Sequence, residues 1–188
     1  MRFNAAPRGN LARFAIREYS TSMLKPQDVL VLLKLAVTPG EWSYPEIAAA
    51  LGMSASEVHA AVKRAGESGL LSPASRRPNR KALLEFLVHG LRYVYPAKHG
   101  GVTRGTPTAH AAPPLKALIV GDHELPPVWP DPMGEIRGAE LRPLYRSAPA
   151  AARRDPALYE LLALVDAIRS GRARERSLAA DQLRGRLS

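Results

Sequence analysis

Ser54, Ser56, His59, Ala60, Lys63 and Arg64 fall along one stretch, SASEVHAAVKR, at a spacing that presents them together on one side of a helix. The hydroxyls and the imidazole can reach base edges, and the two cations can neutralise phosphates. A second group follows: Arg76, Arg77, Arg80 and Lys81 crowd around Pro78. A basic, Pro-containing loop beside such a helix suits contact with the backbone or minor groove of flanking DNA. Ser43 and Tyr44, at the start of the preceding helix, complete the candidate face, although Trp42 and Tyr44 are residues that a helix start more often buries in core.

These side chains need two helices and a tight turn to hold them. The chain supplies both in WSYPEIAAALGMSASEVHAAVKRAGESGLL, from Trp42 to Leu71. Ser43 is a natural N-cap, Glu46 completes a capping box, and Trp42 can staple onto Ile47. The same grammar repeats with Ser54, Glu57 and a Met53–Val58 staple. Gly52 sits where the chain must turn sharply, a position that favours positive φ. Ile47, Ala48, Leu51, Met53, Val58, Ala61 and Val62 put small or apolar groups where two crossing helices touch. This is the helix-turn-helix pattern, whose second helix enters the major groove by its N-terminal half. The segment PEIAAALGMSASEVHAAVKRAGESGLL resembles the winged helix-turn-helix regulators of the broad MarR/ArsR/IclR type, with the resemblance running over about residues 24–95. It implies a winged domain that binds double-stranded DNA, commonly as a symmetric dimer on a palindromic operator.

The bulk numbers agree with a polyanionic partner. The 188 residues carry a formal net charge of +10, and the pI is near 10.4. Through His110 there are 15 Lys/Arg against 7 Asp/Glu, and beyond it 12 against 10, so the excess travels with the helix-turn-helix half. Arg outnumbers Lys 21 to 6, which favours planar, bidentate contacts or reflects a GC-rich genome. The absence of cysteine excludes disulfides and thiolate metal sites and fits a reducing cytosol. No apolar run approaches the length of about 20 residues that spans a membrane.

The expected fold is mainly α with a small β component. Residues 1–22 form a basic, flexible arm, with Arg2, Arg8, Arg13 and Arg17 against Glu18. Three readings of it stay open: an arm following DNA phosphates, an arm packed on a partner subunit, or an upstream start codon before Met23. Residues 23–95 form the winged helix-turn-helix domain, with a buried first helix in QDVLVLLKLAV and a wing that opens at Leu70-Leu71 and shows no clear second strand. Asn79 caps a helix, KALLEFLVHGLRYVY, that is apolar nearly all round and must be covered on two sides, by the C-terminal region or by a second subunit. His89 within it reads as a packed core histidine. Residues 96–154 read as a Pro/Gly-rich strap with one or two short strands, Leu115–Val120 and Glu135–Arg137. Within the strap, Arg104-Gly105 between threonines is a weak minor-groove signal. Residues 155–188 form a helical hairpin, opened by the Asp155-Pro156 cap, for oligomerisation or partner docking.

No catalytic constellation, metal-ligand spacing, Walker loop or dinucleotide fingerprint is present, so neither an enzyme nor a cofactor is expected. Asp122-His123-Glu124 is the one cluster that a metal or acid–base hypothesis could use, and it lies in a Pro-rich loop. The expectation is a bacterial, cytoplasmic, nucleoid-associated, dimeric regulator of transcription, most simply a repressor. The alternative is an interaction protein, an antitoxin or defence-system regulator that binds a cognate partner through its C-terminal half and regulates itself through the winged domain. A third reading is a small-molecule sensor, for which the sequence marks no pocket.

Overall fold

Pro26 opens α1 (Pro26–Val37), in which Val29 to Leu33 and Leu35 are all buried, so the helix runs through the centre of the chain rather than along its edge. The structure is a computed structural model that describes residues 23–119 and 125–187. The basic arm and the Asp122-His123-Glu124 cluster lie outside the described residues.

Two short helices follow, each with a capping box at its start. For α2 (Tyr44–Leu51), the Ser43 N–H donates to Glu46 Oε2 at 2.8 Å; for α3 (Ala55–Glu67), the Ser54 N–H donates to Glu57 Oε2 at 2.8 Å. Between them Gly52 adopts φ +64°, and its N–H bonds back to Ala48 and Ala49. Strands β1 (Leu71–Ser72) and β2 (Arg77–Pro78) pair antiparallel as a minimal hairpin. The second strand, which the sequence reading did not find, is formed by the basic loop itself.

Asn79 caps the next rod through the Ala82 N–H at 3.2 Å. The rod consists of α4 (Arg80–Glu85), one π turn (Phe86–Gly90) and α5 (Leu91–Val94). Leu83, Leu87 and Leu91 are fully buried, whereas Tyr93 and Val94 are exposed, so this helix is covered on one side more than on the other. His89 is exposed, contrary to its reading as a core residue, because it sits off the Leu83–Leu87–Leu91 row.

The segment expected to be a strap is a structured unit. Strand β3 (His99–Pro107) pairs antiparallel with both β4 (Pro127–Pro130) and β5 (Ile136–Leu141), while β4 and β5 pair in parallel, closing a three-stranded ring. Gly105 makes this closure feasible, since a Cβ there would overlap the Trp129 carbonyl. The strand expected at Leu115–Val120 is instead a 3₁₀ turn at Leu115–Ala117, with Leu115 filling the core and Leu118 exposed. Helices α6 (Ala148–Arg154), α7 (Pro156–Ser170) and α8 (Ala173–Leu187) end the chain.

One continuous apolar core joins all these parts. Leu158, Leu161, Leu162, Leu164, Val165 and Ile168 are buried within the chain. The apolar side of the hairpin expected to serve oligomerisation or partner docking is therefore covered along α7 by the chain's own α1, α6 and α8. Lys34 of α1 also reaches the Asp155 cap of α7 at 2.7 Å.

Polar ties cross the core at two buried carboxylates. Asp28 accepts the Lys25 N–H and the fork of Arg64. Asp166 accepts from Thr108 Oγ1 (2.9 Å), Trp129 Nε1 (2.5 Å) and Arg169 Nη1 (2.6 Å). Burial raises the Asp166 pKa against the pull of Arg169, Trp129 and Thr108. Arg169 in turn donates to the carbonyls of Tyr95 and Pro96. Asp166 thus fastens the strand ring and the end of α5 to α7. Asp166→Ala leaves Arg169 as an unpaired buried cation, and we expect it to lower unfolding free energy by about 3–5 kcal/mol, measured by urea denaturation.

Candidate nucleic-acid interface

The exposed side of α3 begins at its cap. Ser54 Oγ lies 3.0 Å from Ser56 Oγ and 2.9 Å from Glu57 Oε2, and both serines are exposed. The Ser54 N–H, and then its hydroxyl, hold the Glu57 carboxyl below the usual range. His59 is exposed one turn further on, Ala60 is half-buried, and Lys63 is exposed with only a loose 3.9 Å pair to Glu67.

Aromatic rings link this face to the hairpin. Tyr44 sits between Trp42 and His59, with ring centroids 5.3 and 5.2 Å away. The Arg76 guanidinium lies 4.1 Å over Trp42 and 5.1 Å from the Tyr44 ring. Trp42 Nε1 donates to the Arg76 carbonyl at 3.2 Å, which helps hold this residue at φ +53°, a conformation that non-glycine residues avoid. Tyr44, Lys63, Glu67, Leu71, Pro73 and Arg76 line an open groove of about 380 Å³ between α3 and the hairpin. Ser43 stays at the α2 cap, with its hydroxyl on Glu46.

Three of the remaining arginine and lysine positions do other work. Arg64 is a correction: it is buried and forks onto the fully buried Asp28, with Nη2–Oδ1 at 2.5 Å, and is not free to meet a phosphate. The reason is helical phase, because Arg64 follows Ala61 by three residues and so turns with Val58, Ala61 and Ala65 toward α1. The lone acid in the apolar first helix was the signal for this partner. Arg77 donates to the Thr38 carbonyl at 2.8 Å and to that of Gly40. Arg80 donates to the Ala36 carbonyl at 3.2 Å, so these two arginines satisfy the open C-terminal end of α1 and pin the hairpin to it. Lys81 lies apart from the aromatic cluster, in a groove with Leu84, Val88, His89 and Arg184.

Residues that sequence reasoning missed come from the C-terminal half. Ser147 and Arg154 pack over Gly52 in the turn between α2 and α3. Arg154 Nη1 donates to the Ala49 carbonyl at 3.0 Å, and Tyr145 Oη donates to Glu57 Oε1 at 3.2 Å. Arg146 is exposed and close enough to Glu57 for its charge to favour the carboxylate. No local pattern announces this docking, because partners such as Arg154 and Ala49 are 105 positions apart.

Arg64→Ala should strand the Asp28 charge and lower stability by about 3–5 kcal/mol, with most of the loss recovered when Asp28 is also replaced by Leu. Lys63→Ala should stay within about 0.5 kcal/mol of wild type. Equilibrium urea unfolding of the three variants checks both expectations. No protein-family model, curated protein or solved structure matches the chain.

Proposed function

We propose that the chain is a sequence-specific regulator that binds double-stranded DNA, with residues from α1 to β2 forming a winged helix-turn-helix and α3 as the recognition helix. The observation that carries this reading is the joined surface of Ser54, Ser56, His59 and Lys63 on α3 with Arg76 held over aromatic rings at the hairpin. Ser54, Ser56 and His59 read base edges, and Lys63 and Arg76 contact the backbone or minor groove. The net charge of +10 supports a polyanionic partner.

In this reading two copies form a homodimer, bringing their α3 helices to successive major grooves about 34 Å apart. Binding represses by occluding a promoter, the protein works at the bacterial nucleoid in the cytoplasm, and it has neither catalytic activity nor a cofactor. Among the described residues no helix is long and apolar enough to cross a membrane. The rival reading, a partner-binding antitoxin or defence regulator, rests on the apolar α4–α5 rod and the C-terminal hairpin, and of these the apolar stripe of α7 is buried inside the chain.

Fluorescence anisotropy of the purified protein on its own upstream DNA against a scrambled duplex, at two salt concentrations, tests the proposal. Preference for the upstream duplex that survives the higher salt supports it. Equal binding that collapses with salt leaves only a basic protein meeting a polyanion. Lys63→Ala should weaken binding to every duplex and reduce the salt slope by about one unit per subunit. His59→Ala should relax preference at one operator position while leaving the slope unchanged; an unaltered preference would sink the assignment of His59 to a base edge.

A further inference from the structure

In the strand ring, Arg104 of β3 and Arg137 of β5 are direct register partners across an antiparallel pair. Partners of this kind project from the same face with Cβ atoms about 5 Å apart, and like charges so placed repel each other. Both arginines are exposed, and among the described residues neither has an ion-pair or hydrogen-bond partner for its side chain. Among the described residues no neighbouring acid makes an ion pair with either arginine. Asp131, whose N–H bonds to the Arg104 carbonyl at 3.3 Å, gives its carboxylate to Arg153 and to Thr106 Oγ1. Glu135 is exposed two residues before Arg137 and forms no ion pair with either arginine.

The position of the pair is tied to the turn between α2 and α3. Asp131 is bonded to Arg153 of α6, and the next residue, Arg154, donates to the Ala49 carbonyl in the last turn of α2. A continuous line of bonds therefore runs from the ring, through α6, to the turn that precedes α3.

We infer that the Arg104–Arg137 pair is a second phosphate-contacting site, which extends the DNA interface from the α3 face onto duplex flanking the operator. The inference rests on the proposed DNA-binding function. A phosphate between two opposed guanidiniums removes their repulsion and accepts from both forks, and a duplex supplies such phosphates at regular intervals. The site carries no sequence information, so it adds affinity without altering base preference.

The test uses the full chain, an Arg104→Gln/Arg137→Gln variant, and a charge-keeping Arg104→Lys/Arg137→Lys variant. Each is titrated on a duplex trimmed to the base pairs that set the wild-type sequence preference and on the same duplex extended by about one helical turn, roughly 10 bp, at each end. On the extended duplex the Gln variant should show a salt slope smaller by about two units. Between about 50 and 200 mM salt the wild type should then lose about tenfold more affinity than the Gln variant. The Lys variant should keep most of the wild-type slope. On the short duplex the three proteins should coincide, and a thermal melt should find the Gln variant at least as stable as wild type.

Unchanged affinity and slope of the Gln variant on the extended duplex, beside normal wild-type binding, would overturn the second site and leave the α3 reading standing. Equal losses on both duplexes would overturn its flanking placement. Failure of the wild type itself to prefer operator DNA would overturn the proposed function, and the second site with it.

Discussion

The fork of Arg64 on Asp28 sets how α3 is rotated about its own axis, and the candidate interface depends on that rotation. Asp28 has no exposure, and a carboxylate in that position needs a charged partner with matched geometry. Arg64 supplies two parallel bonds, which define direction as well as distance. With Arg64, Ala61 and Val58 committed to α1, the residues left facing outward are Ser56, His59 and Lys63. A fork that secures the core thereby selects the exposed face. Tyr95 closes the same corner: its hydroxyl donates to the Leu24 carbonyl, and burial, with the charge of Asp28 adding, pushes its pKa up to about 12.

A comparable device joins the two halves of the chain. Asp166 lies in the buried middle of α7 and gathers donors from Thr108 just past β3, from β4 and from its own helix. Because Arg169 also bonds the carbonyls that end α5, one ion pair fixes the strand ring and the α4–α5 rod against the same helix. The α6 segment then reaches across to the turn at Gly52. The surface around α3 is consequently assembled from both halves, with Tyr145 and Arg154 bearing on a motif that is otherwise local in sequence.

Arginine plays three physical roles here, and the partner each one meets separates them. Arg64 and Arg169 answer buried carboxylates. Arg77 and Arg80 satisfy carbonyls at the open end of α1, and Arg154 does the same for α2. Arg76, Arg104 and Arg137 meet no acid among the described residues; Arg76 rests on aromatic rings, and the other two face each other. Net charge alone does not distinguish these groups, since a guanidinium that binds a carbonyl keeps its charge while losing part of its freedom.

Local residue order accounts for α1 to α3, both capping boxes and the left-handed Gly52, because these rest on bonds between residues a few positions apart and on a helical period written into that order. It also determined the mainly helical character with a small sheet, and the Asn79 and Asp155 caps. Tertiary structure decided the rest. Whether a cation on α3 faces solvent depended on Asp28, 36 positions away, and a shift of about 100° per residue separates Lys63 from Arg64. The ring of β3, β4 and β5 has no strong alternating pattern, because its strands are Gly- and Pro-rich and their pairing is fixed by close backbone approach at Gly105 rather than by side-chain periodicity. The docking of α6 on the α2–α3 turn and the opposition of Arg104 to Arg137 likewise follow from register and closure, which arise only when distant segments share one core.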